Sequence, residues 1–140
     1  MKFLQKISPE WSLRLAVGLT YLYSGQDIIR HPTAWIWALP YWLRQMITAA
    51  MPLDVYLRIQ GSLEIIFALA LLAWFLKPRI VYWVAMVSAL EFFIILLLAF
   101  FPWSEANFSI TFRDIGLLGA SLALVSILER KINDSNFPPQ

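Results

Sequence analysis

LDVYLRIQGSLEIIFALALLAWFL, residues 53–76, decides the fold. The stretch is too long for a strand, and after Glu64 it carries no charge until Lys77. At about 1.5 Å per residue a helix of this length matches the hydrocarbon core of a bilayer. Three further segments read the same way: Ser12–Ile29, Ile80–Phe101 and Arg113–Leu128. Each holds about 16–24 residues, enough for about 24–36 Å of helix. The last is the shortest. Prolines 32, 52, 78 and 102 mark the joints, and Pro52 and Pro78 suit first-turn positions, where a missing N–H costs nothing.

Composition agrees. Of 140 residues, 60% are hydrophobic and 14% charged, with a mean hydropathy of +0.66. Soluble domains carry about 25% charged residues, so this chain lacks the polar groups to cover a water-facing surface. The sequence predicts an all-α polytopic membrane protein, a four-helix transmembrane bundle forming one domain over residues 1–140. Residues 32–52, "PTAWIWALPYWLRQMITAAMP", are apolar but broken by Pro40 and rich in Trp. They read as an interfacial or re-entrant helix between the first and second spans, with a fifth span as the alternative. The tail 133–140, "NDSNFPPQ", reads as disordered.

A net charge of +2 without clustered cations gives no support to nucleic-acid binding. The absence of cysteine excludes thiol redox chemistry and thiolate metal sites by this chain, and His31 alone builds no histidine metal site. No metal is expected. The N-terminus "MKFLQKISPEW" reads as the start of a retained helix rather than a cleaved signal. With four spans, Lys2, Lys6, Lys77, Arg79, Arg130 and Lys131 fall on one side, which the positive-inside rule makes cytoplasmic, together with both termini.

Ionisable residues inside spans are functional hypotheses by default. Here they are Arg14, Asp27, Arg58, Glu64, Glu91, Arg113 and Asp114. Glu64 and Glu91 each lie about 17 Å from the start of their helix and should meet near the midplane. Either a carboxyl is neutral there or it pairs with Arg58 or Arg113. Helical spacing places Thr20, Ser24 and Asp27 on one face, Gln60 with Glu64, Ser88 with Glu91, and Arg113 with Gly116 and Ala120. Pointing these stripes inward forms a polar cavity open to the outer side, with Tyr21, Tyr23 and the tryptophans on its walls. Candidates for ligand binding or proton relay are therefore Arg113, Asp114, Glu64, Glu91, Arg58, Gln60 and Asp27.

Simpler readings stand beside these. Thr111-x-x-Asp114 resembles a capping box. Arg113 and Arg14 can snorkel to headgroups, and otherwise Arg113 needs an internal acid, Glu64 or Asp27. Asp54 can pair with Arg58, and Asp27 with Arg30 or His31. Glu64 and Glu91 can simply hold the bundle together.

"RLAVGLTYLYSG", "GSLEIIFALALL" and "FRDIGLLGASLAL" together resemble the DoxX family of small four-helix membrane proteins. The likeness rests on Arg14, Gly18 and Gly25, on Gly61 and Glu64, and on Arg113–Asp114, and it covers nearly the whole chain. It implies a subunit in a prokaryotic-type inner membrane, associated with quinone-linked or thiol-stress redox complexes. A quinone ligand, a soluble or membrane redox partner and a homo-oligomer follow as expectations. The residues offer no intrinsic electron carrier, so an accessory subunit is expected rather than a self-sufficient enzyme. The rival expectations are a structural or assembly protein and a small transporter.

Overall fold

In a computed structural model, residues 8–100 and 108–136 are described, with side chains for 8–100 and 113–135. Six helices and no strand occur among the described residues: α1 (Pro9–Arg30), a 3-10 helix (Pro32–Ala38), α2 (Tyr41–Ala50), α3 (Leu53–Leu72), α4 (Pro78–Phe100) and α5 (Phe108–Asn136). Local chemistry sets several boundaries. Ser8 caps α1 by accepting the Trp11 N–H, and Pro9 occupies the first turn. Pro40 divides the 3-10 helix from α2, and Pro52 divides α2 from α3.

α3 and α4 are long and apolar enough to cross a membrane. Only 28% of the most apolar window of each is buried, whereas the core helix of a water-soluble protein is mostly covered. The outer faces present Ile66 and Leu69 on α3, and Trp83, Phe93 and Leu97 on α4. Leu15 and Leu19 of α1 and Leu122 of α5 extend the same apolar band. An exposed surface of this extent calls for an apolar solvent or partner.

The four long helices associate as two close pairs, α1 with α3 and α4 with α5, and α3 contacts α4 more sparsely than α1 contacts α5. α1 and α3 run antiparallel and cross at two glycines. A Cβ on Gly25 would lie 2.6 Å from the Gly61 carbonyl oxygen, and one on Gly61 would lie 2.8 Å from the Gly25 oxygen. Only glycine permits this approach. Two arginines then pin the ends. Arg14 donates from Nε to Leu71 O (2.7 Å) and from Nη2 to Ala73 O (2.6 Å), at the C-terminus of α3. Arg58, near the start of α3, donates to Ile29 O at the C-terminus of α1 (2.6 Å). Each helix thus supplies a cation to the orphan carbonyls that end its neighbour.

Several expectations need correction. Arg14 does not snorkel outward: it is 4% exposed and also bonds Glu10, whose second oxygen takes Lys131. Among the described residues no ion pair joins Asp54 to Arg58. The second span ends as a helix at Leu72 rather than Leu76. α5 begins at Phe108 rather than Arg113, so Thr111 lies inside the helix and Asp114 is not at its first turn. The Thr111 side chain, Lys2, Lys6 and Pro102 lie outside the described residues. Residues 133–136 continue α5, while 137–140 lie outside the described residues. Residues 32–52 form two short helices of 7 and 10 residues, and neither is long enough to span alone.

The core occupies the end of the bundle where α1 begins and α3 ends. Val17, Leu71, Val81, Ala85, Leu124 and Leu128 are buried there. The opposite half is less filled, and it holds the site.

Candidate functional site

A cavity of about 500 Å³ lies between α1, α3, α4 and α5, and the 3-10 helix and the start of α2 close over it. Its walls are apolar and aromatic: Trp35 and Trp37 from the 3-10 helix, Leu43 from α2, Phe67 from α3 and Phe92 from α4. Its polar groups converge from all four long helices: Ser24 from α1, Gln60 and Glu64 from α3, Glu91 from α4, and Arg113 and Asp114 from α5.

Glu91 is held on both oxygens. Tyr21 Oη donates to Oε2 at 2.6 Å, and Gln60 Nε2 donates to Oε1. Tyr21 is itself fixed by stacking on Phe92 (5.2 Å between ring centres) and by an edge contact with Phe67 (5.8 Å). Glu64, 7% exposed, is hydrogen-bonded to Ser24, whose Oγ also reaches Thr20 O at 2.9 Å. Glu64 lies within electrostatic reach of Glu91 and Arg113. Neither glutamate forms an ion pair with Arg58 or Arg113 among the described residues, contrary to one of the two expectations for them. Neutral hydroxyl and amide groups meet them instead.

Arg113 also finds a different partner from the two expected. Its Nε donates to Asp114 Oδ1, its sequence neighbour, at 2.9 Å, rather than to Glu64 or Asp27. The inward stripe of α5 is Asp114, Leu117, Ser121, Leu124 and Leu128. Gly116 is exposed, and a Cβ there would meet nothing within 4 Å. Of the stripe placed inward by sequence, only Gly116 faces away: Arg113 borders the cavity although its side chain is largely exposed, and Ala120 packs partly buried against the core. Asp114 is fully buried, and its Oδ2 has no hydrogen-bond partner among the described residues.

Of the seven candidate residues, Glu64, Glu91, Gln60, Arg113 and Asp114 border this one cavity. Arg58 and Asp27 do not. Arg58 borders a shallow outer pocket with Arg30 and Asp54. Asp27 accepts from Trp35 Nε1 at 2.8 Å and contacts His31 Nδ1 at 3.0 Å. It ties the 3-10 helix to α1 and so positions the roof. Tyr23 points outward, 75% exposed. Trp35 and Trp37, among the tryptophans expected on the cavity walls, border it; the roof residues that sequence reasoning missed are Leu39 and Leu43. The signal was present in the clustered tryptophans, but helical spacing says nothing about where a short segment folds back.

The cavity can hold an apolar body against its aromatic walls and meet a polar head with carboxyl, amide and guanidinium groups. It can also pass protons between hydroxyl and carboxyl groups. Comparison with family models, with curated proteins and with solved structures finds no match to this chain.

Proposed function

We propose that the chain is a polytopic membrane protein whose spans lie within α1 (over residues 12–29), α3, α4 and α5, and that its cavity binds a small amphiphile. The observation that carries this reading is the composition of the cavity, about 500 Å³ with aromatic walls and a polar end built from four helices. Leu63, Leu90 and Ile94 border the cavity and are also exposed on the outer face, where α3 and α4 contact each other sparsely. An amphiphile dissolved in the bilayer enters by that seam. The 3-10 helix and α2 lie at the membrane surface over the mouth. Both termini are cytoplasmic, in a prokaryotic-type inner membrane.

The DoxX resemblance makes a quinone the first candidate. It also makes the chain an accessory subunit beside a soluble or membrane redox partner, alone or as a homo-oligomer. Native mass spectrometry of protein taken from its own membrane tests the reading. The expected result is a retained adduct of quinone size, lost in Ala38→Trp, which fills the cavity from its roof. A wild-type protein that carries no adduct under conditions that keep annular lipid rules it out.

A second reading has its own support: Glu91 has both oxygens satisfied within the protein, as in a network that only holds helices together. On that reading Glu91→Gln lowers stability and leaves adduct retention unchanged.

A further inference from the structure

The groups around the cavity differ in what they leave unsatisfied. Glu91 is met by Tyr21 and Gln60, and Glu64 by Ser24. Asp114 is the exception. It borders the cavity and is 0% exposed; its Oδ1 takes the Arg113 Nε–H, and its Oδ2 is buried with no partner among the described residues. A carboxylate oxygen only accepts, and a buried acceptor calls for a donor. The other acids on the cavity, Glu64 and Glu91, are acceptors too. Arg113 is the one cation among the described residues that border it, its Nε is engaged by Asp114, and its side chain is 53% exposed. A head group that only accepts hydrogen bonds would face carboxyl oxygens at the buried end.

From this juxtaposition we infer that the cavity selects an amphiphile whose head donates hydrogen bonds, a hydroxyl or a protonated amine, with Asp114 Oδ2 as its acceptor. The inference rests on the amphiphile site proposed above and specifies its chemistry: of a quinone couple, the quinol rather than the oxidised quinone is the form held. The aromatic walls suit either source, since a ring stacks on them and an ammonium is attracted to their faces.

The test uses the full chain in lipid nanodiscs, with empty nanodiscs as the partition control. Binding is read as a saturable change in tryptophan fluorescence, because Trp35 and Trp37 border the cavity. Two probe pairs differ only in the donor: decylhydroquinone against its dimethyl ether, and dodecylamine against dodecyltrimethylammonium. The expected result is that at least one donor binds roughly tenfold or more tightly than its methylated counterpart, the scale of a charge-assisted hydrogen bond. A split in the first pair alone assigns a neutral hydroxyl, and a split in the second alone assigns a cation. Asp114→Asn, which replaces an acceptor oxygen by an N–H donor, should bring the ratio close to one. Equal binding within both wild-type pairs overturns the inference and leaves the site standing. A ratio that survives Asp114→Asn overturns the assignment to Asp114. If no probe binds, the amphiphile site itself fails. The wild-type ratios decide the donor chemistry even where the variant does not fold.

Discussion

Arg14 illustrates what a charge does inside an apolar bundle. A guanidinium in hydrocarbon needs acceptors, and a helix that ends in hydrocarbon leaves carbonyls that need donors. Arg14 meets both needs by bonding Leu71 O and Ala73 O, while its guanidinium lies 4.2 Å from the centre of the Trp11 ring. Arg14→Leu therefore strands two carbonyls and should cost about 3 kcal/mol or more. Arg14→Lys, a point charge without the planar fork, should recover only part of that. Unfolding by SDS in mixed micelles measures both. Glu10 adds a pH dependence. Burial pushes its carboxyl up, but Lys131 and Arg14 outweigh this and hold it below its ordinary value of 4.5. A depressed carboxyl stabilises the fold above its unfolded pKa, and that contribution is lost as pH falls through the folded value. The unfolding midpoint should be level between about pH 7 and pH 5 and fall in more acid solution, less steeply in Glu10→Gln. Residue identity made these charges visible in the sequence but not their partners. The Arg14 acceptors are backbone atoms 57 and 59 positions away, which no side-chain pattern encodes. Arg113 chose its immediate neighbour, a pairing that helical spacing rules do not consider.

Among the elements, the α1–α3 pair is the most closely joined, and its crossing is the most exacting contact in the fold. Gly25→Ala and Gly61→Ala each set a methyl against backbone oxygen, which cannot rotate away. Each should cost about 1–3 kcal/mol in the same unfolding measurement, the range of overpacked cores. Gly116→Ala, with open space around it, should be neutral or stabilising by up to about 1 kcal/mol. Helix positions were legible because apolar runs of this length have few alternatives. Boundaries were less so, for a physical reason: hydropathy marks where a chain leaves an apolar solvent, not where its backbone hydrogen bonding stops. Hence α5 starts at Phe108, before its apolar run, and α3 stops at Leu72, inside its own. The stripe of α5 was misplaced for another reason: helical spacing shows which residues share a face but not which face packs, and the packed face runs through Asp114, Ser121 and Leu128.

For the molecule as a whole, a filled half and an open half divide the labour. The buried aliphatic core fixes the four long helices at one end, which leaves the other end free to hold a cavity under the 3-10 helix and α2. Five of the seven candidate residues border that cavity, because apolar helices gather their few polar groups where they converge. Its roof was legible only as an apolar, Trp-rich segment; where that segment sits depends on the Asp27–Trp35 hydrogen bond, which no spacing rule encodes. The proposed topology is testable with single cysteines, as the sequence contains none. Thr33→Cys should react with an impermeant maleimide from outside the cell, and Ser135→Cys only after the membrane is opened. Labelling of both from one side would contradict the four-span arrangement. An amphiphile held between the helices is open to photo-crosslinking in native membranes kept reduced, with a quinol carrying a diazirine on its tail. Adducts are expected on the cavity-lining residues Leu57, Phe67 and Phe92, reduced by an excess of unlabelled quinol. Adducts confined to outward-facing residues such as Leu19 and Leu122, and indifferent to competitor, would contradict it.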